Sequence, residues 1–296
     1  MLWSKAIGAG GAGGATVPLF GPRGVFGGGF SNQFVIATEY ITIANTGNVV
    51  SFGNLTVARA FPTATSDGSR GVFGGGNKSA PVLNTIDYIT IATLGDAIDF
   101  GDLTAARRML AATSDGSRGV FGGGDVSSST IDYITIATTG NAIDFGDLTV
   151  ARSLLAATSN GPRGVFGGGS AIGSTIDYIT IATTGNAIDF GDLTVDRSGV
   201  AATSNGPRGV FGGGSAIGST IDYITIATLG NAIDFGDLTV ARQWAAATSD
   251  GSRGVFGGGF SATNTIDYIT IATPGNAFDF GDLSQSKYGL AATSGG

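Results

Sequence analysis

The sequence predicts an all-β fold built from one module repeated six times, and three observations carry the prediction. The stretch RGVFGGG begins at Arg23, Arg70, Arg118, Arg163, Arg208 and Arg253, with spacings of 47, 48, 45, 45 and 45 residues. A second motif, DYITIAT, holds Tyr88, Tyr133, Tyr178, Tyr223 and Tyr268, with Tyr40 in the variant EYITIAN, and each of the first five tyrosines precedes the next arginine by 30 residues. All length variation therefore falls between the glycine triplet and the tyrosine, which marks a fixed frame with one elastic loop. Within each copy, short extended runs alternate with turn residues and no 3.6-residue apolar stripe appears, so helix is disfavoured.

The copy Leu154–Ser198 divides into four such runs. LAATS comes first and ends at Asn160-Gly161, a tight-hairpin signal. RGVFGG is second and leads into the elastic loop. TIDYITIAT is third, rich in β-branched and aromatic residues, and stops at TGN. DFGDLTV is fourth. In the third run Ile89 and Ile91 point to one face while Ile86 and Tyr88 point to the other. Both faces are apolar, so the sheet needs cover on both sides. Each buried Ile or Tyr contributes about 1.5–3 kcal/mol, and no single copy can bury its own faces.

A four-stranded sheet sandwiched between copies of itself is a propeller blade, and six copies make six blades. The expected fold is a six-bladed β-propeller of four-stranded antiparallel blades. Blades taper toward an axis, so glycines without side chains let one sheet approach the next. A phosphate-cradling role for the triplets is disfavoured, because no helix follows them. The last copy ends at YGLAATSGG (Tyr288–Gly296), only a first strand, and the first copy opens on a second strand at Gly21–Gly29. The C-terminal strand is thus expected to complete the N-terminal blade, closing the ring and leaving no free sheet edge. Residues 19–296 form the propeller in this reading, and residues 1–18 a flexible or docking arm.

Composition excludes several function classes. The net charge of −7 gives no basic surface for nucleic acid or for an acidic membrane. No apolar run reaches the ~18 residues of a membrane span. The chain has no histidine and no cysteine, which removes the usual general base, the nucleophilic triads and the usual zinc ligands. An enzyme is accordingly not expected, and neither a cofactor nor a metal is assigned. DFG at Asp99–Gly101 lacks the partner motifs of a kinase. GAGGAG at Gly8–Gly13 follows no strand and opens no helix. The acids Asp87, Asp132, Asp177, Asp222 and Asp267 and the arginines Arg107, Arg152, Arg197 and Arg242 occur once per copy. Catalytic carboxylates need one defined place, so inter-strand hydrogen bonds and ion pairs are the expected use.

The copies disagree in two places: the elastic loop, and the connection from the fourth run to the next copy. In a four-stranded meander both emerge on the same disc face, while the constant SDGSR and TGNA turns form the other. Candidate binding residues are therefore Phe30, Phe61, Met109, Leu154, Trp244, Phe260 and Tyr288, since rigid scaffolds carry recognition on loops and aromatic residues dominate contacts.

The order VFGGG, IDYITIAT, DFGDL, AR resembles the kelch repeat, with its glycine doublet, aromatic strand, downstream ring and arginine. The resemblance covers nearly all of the chain after about Gly21. It departs where kelch blades carry tryptophan, because Phe100, Phe145, Phe190, Phe235 and Phe280 stand there. The near-identical Gly-, Thr- and Asp-rich copies also resemble kelch-like segments of tail or fibre proteins of tailed bacteriophages, notably marine ones. That resemblance implies a non-enzymatic virion component, made in the host cytoplasm. It would contact other virion proteins through the N-terminal arm or constant face, and a host surface glycan or receptor through the variable face. A bacterial kelch-like scaffold or a propeller lectin is the alternative.

Overall fold

A computed structural model describes residues 22–125, 128–170, 173–215, 218–260 and 263–295. The expected arm at residues 1–18 lies outside the described residues. Six four-stranded antiparallel sheets form the ring, with one extra two-stranded hairpin, Phe30–Ser31 with Gln33–Phe34, in the long loop of the first blade. In the fourth blade the strands run Ala156–Ser159, Arg163–Gly167, Thr175–Thr180 and Ile188–Asp192. The AATS strands are innermost and line the axis, each touching its counterparts on both sides. Closure is as expected: Ala291–Gly295 pairs with Arg23–Gly27 in the register Gly27↔Ala291 to Arg23↔Gly295 and supplies the innermost strand of the first blade.

The strands are shorter than the sequence runs. The fourth stops at Asp192 rather than reaching Val195, because Leu193 turns into the blade interface, where it is 4% exposed. Thr194 then spends its backbone N–H and its hydroxyl on Asp222 of the next blade, at 3.1 and 2.7 Å. A register shift at Ile221/Asp222, repeated at Ile176/Asp177 and in the other blades, marks a bulge beside this acid. Closure does not remove every free sheet edge as expected: it pairs the inner strands, while the outermost strand of each blade keeps one edge unpaired. Exposed Asp189 and its equivalents put charge there, a common guard against edge-to-edge pairing.

The core consists of clusters between blades rather than one centre. Val165, Ile176, Phe190 and Leu193 of the fourth blade meet Phe211, Ile224 and Ile226 of the fifth. The glycine triplets make this approach possible. A methyl group on Gly167 would lie 2.6 Å from the Phe211 ring of the next blade, and its five equivalents meet the corresponding rings at 2.6–2.8 Å. The second glycine of each triplet has φ between +66° and +73°, and a Cβ there would press on the carbonyl of Arg59, Arg107, Arg152, Arg197, Arg242 or Lys287. The triplet thus combines a close contact with a left-handed turn.

Polar ties join each blade to the next at two heights. Near the constant turns, the arginine of RGVFGGG lies over the tyrosine of its own blade, at 4.4 Å for Arg163 and Tyr178. Its guanidinium donates to the next blade, from Arg163 Nη1 to the Ile226 carbonyl at 2.9 Å. Deeper in, Arg59, Arg107, Arg152, Arg197 and Arg242 reach Asp87, Asp132, Asp177, Asp222 and Asp267 of the following blade at 2.5–3.0 Å. The repeated acids and arginines are therefore structural ion pairs, and they run between blades. At the seam where the ring closes, both partners change together: Lys287 Nζ meets Glu39 Oε2 at 2.8 Å. A shorter cation is matched by a longer acid. Burial lowers the pKa of all five arginines, and it outweighs the opposing pull of each aspartate.

The first described residue, Pro22, lies on the face of the constant turns. Pro22 accepts from Ile43 at the end of the third strand, and Gly295, paired with Arg23, sits against Gly68 of an SDGS turn. The variable loops lie on the opposite face.

Candidate recognition face

The connections between blades place Phe61, Met109, Leu154, Gly199, Trp244 and Gly289 at equivalent positions round the mouth of the axial channel. Their backbones form a closed cycle of hydrogen bonds. Each amide donates to the carbonyl of the preceding member: Met109 to Phe61, Leu154 to Met109, Gly199 to Leu154, Trp244 to Gly199, Gly289 to Trp244 and Phe61 to Gly289, at 2.6–3.1 Å. All six take positive φ, from +55° to +70°. Glycine accepts that conformation freely, whereas each of the other four residues gives up about 1–2 kcal/mol to hold it. Four blades therefore carry a bulky apolar side chain where two sister blades show that glycine completes the same collar. Strain of this kind gathers where a side chain is required for something other than stability.

Met109→Gly is accordingly expected to stay within about 1 kcal/mol of the parent in denaturant unfolding, because relief of the left-handed strain offsets the lost contacts. A large-to-small change at an unstrained core position costs about 2–5 kcal/mol. A loss in that range would show that Met109 is there for packing.

Outside the collar, three connections meet the loop of the next blade through a matched polar pair. Arg108 Nε lies 2.8 Å from Asp125 Oδ2. The hydroxyls of Ser153 and Ser170 are 2.9 Å apart, and those of Ser198 and Ser215 are 3.1 Å apart. At these interfaces the two variable positions are matched to each other.

At the seam the pairing becomes aromatic. Tyr288 and Phe30 form a backbone bridge, and their rings are 5.7 Å apart. Tyr288 also meets Phe61, Trp244 and Phe260, at 6.0, 5.4 and 5.3 Å. Trp244 meets Phe61 and Phe260 at 5.5 and 5.2 Å. The structure therefore brings five of the seven candidate residues into one cluster over the sixth, first and second blades. Met109 and Leu154 lie apart, on the aliphatic side of the collar. Phe34, 5.2 Å from Phe30, joins the cluster and was missed. Its signal was available, because the first elastic loop is the only one with two phenylalanines.

The glycine collar positions make room for these rings. A Cβ on Gly199 would lie 2.6 Å from the indole of Trp244, and one on Gly289 would lie 2.8 Å from the ring of Phe61. Phe260 remains 46% exposed, and the buried indole N–H of Trp244 has no partner among the described residues. An orphaned donor costs about 1–3 kcal/mol, so the cluster is not arranged for stability alone. Among the described residues no group of three or more acids, histidines or cysteines could hold a metal ion.

These features define a class: a six-bladed β-propeller with one face constant and the other decorated unevenly. No family model matches the chain, and a comparison with curated proteins finds no match.

Proposed function

We propose that the protein is a non-enzymatic display module of the kelch-like kind, serving in the virion of a tailed bacteriophage as part of a tail fibre, an appendage or the capsid surface. The single observation that carries this reading is the opposition of its two faces. The chain joins the ring at Pro22 on the constant face, and the aromatic cluster opens on the other. The constant face, where Pro22 begins the ring, can be held by other virion proteins while the variable face points outward. The ring then works as a rigid plate that positions contact groups at little entropic cost. Its outward partner in this reading is a host surface glycan or receptor, or another virion subunit.

The experiment tethers the full chain by its N-terminus and measures capture of host envelope fractions and of purified virion subunits. Alanine at both Trp244 and Tyr288 is expected to weaken outward binding by roughly tenfold or more, the usual behaviour of central aromatic anchors. Thr184→Lys on the constant face is expected to leave it unchanged. Equal binding by the Trp244/Tyr288 variant and the parent would remove the variable face from recognition.

A further inference from the structure

We infer that the groove between the sixth and first blades is a saccharide-binding site, one per ring, selective for uncharged sugars. The inference rests on the variable face being the recognition face. Three rings form the groove: Phe260 stands perpendicular to Tyr288 (89°), and Phe30 is tilted from Tyr288 by 44°. A pyranose has an apolar face of C–H bonds and an equator of hydroxyls. The electron-rich faces of aromatic rings attract the former.

The groove's electrostatics select against charge. Lys287 is the only ionisable residue among its described lining with a formal charge at neutral pH, and its ammonium is held by Glu39 with 0% side-chain exposure. An acidic sugar would find no free cation there and a basic ligand no free carboxylate. The rim points to hydroxyl partners. Ser31 and exposed Asn32 both donate and accept hydrogen bonds, as a sugar hydroxyl does. A proline-rich peptide, the other common guest of aromatic grooves, offers carbonyls that only accept.

The site cannot be repeated round the ring. The positions equivalent to Tyr288 and Phe30 are Ala60 with Asn77, Arg108 with Asp125, Ser153 with Ser170, Ser198 with Ser215, and Gln243 with Phe260. None of these other pairs sets a ring opposite a ring, and the further ring contact across a neighbouring interface, Trp244 with Phe260, belongs to the same cluster, so binding is expected at one sugar per chain and not six.

The test uses the full chain carrying Trp3→Phe, which leaves Trp244 as its one tryptophan. Its emission is followed during titration with methyl glycosides of neutral hexoses, N-acetylhexosamines and their short oligomers. Parallel titrations use glucuronate, N-acetylneuraminate and a proline-rich peptide. The expected result is a saturable response to a neutral sugar with one site per chain. Phe260→Ala and Tyr288→Ala should weaken it by roughly tenfold or more, and Thr184→Lys on the constant face should not, with near-ultraviolet dichroism confirming that each variant folds. No response to any neutral sugar, a preference for the acidic sugars or the peptide, or six sites would each overturn the inference. If binding to host envelope is lost in Met109→Ala or Leu154→Ala but not in Phe260→Ala, the groove is refuted and the variable face stands. If it survives all of these changes, the face itself is refuted.

Discussion

Asp177→Ala is expected to lower the stability of the ring by about 3–5 kcal/mol, the loss typical of a broken buried pair. Asp177 receives Arg152 Nη2 at 3.0 Å and both the hydroxyl and the amide of Thr149, at 2.5 and 3.2 Å. Both charged side chains are 0% exposed. Removing the acid strands a guanidinium between two sheets, and the Arg152 Nε already has no partner among the described residues. Replacing both members with Arg152→Met and Asp177→Leu is expected to cost far less, or to stabilise, because desolvation already opposes the charged form of Arg152. Urea titration of the parent, the single variant and the double variant reads both effects. An Asp177→Ala loss below about 1 kcal/mol, the range of an exposed pair, would contradict this view.

The second large effect is expected from the glycines. Gly167→Ala should destabilise by about 1–3 kcal/mol, the usual cost of overpacking a tight core. Conformation alone predicts the opposite sign. Gly167 is not among the residues with positive φ, and Ala is favoured over Gly inside a strand by about 0.5–1 kcal/mol. Packing reverses the sign, since the new methyl would fall 2.6 Å from a Phe211 ring that is 0% exposed and has nowhere to move. Gly168→Ala adds left-handed strain at φ +71° to a contact of 3.0 Å with the Arg197 carbonyl, so it is expected to cost at least as much.

Much of this architecture was legible because the repeat states each rule six times. The blade count, the strand order, the closure by the last strand and the face on which the copies differ follow from where RGVFGGG and DYITIAT fall and where length varies. The partners of buried polar groups were not legible. Arg152 lies 25 residues from Asp177, and in a perfect repeat that distance is equally compatible with a tie within a blade or to the next one. The seam pair was hidden for a related reason, because Lys287 and Glu39 break the pattern singly and become a pair only once the ring is closed. The strands were overextended at Leu193 and Thr194, whose β-branched and apolar neighbourhood reads as strand while tertiary contacts bend it inward. The collar was invisible, since nothing in Phe61, Met109, Leu154 or Trp244 announces positive φ. Only the glycines at the sister positions, Gly199 and Gly289, hinted at it.

The central claim is that each triplet keeps clear the space filled by the next blade's phenylalanine, and a double-mutant cycle at Gly167 and Phe211 tests it most directly. Phe211→Leu removes the ring atoms that a methyl on Gly167 would strike. The double variant is therefore predicted to be more stable than the summed single effects by about 1 kcal/mol or more. Additivity within about 0.5 kcal/mol would mean that the two residues do not share that space.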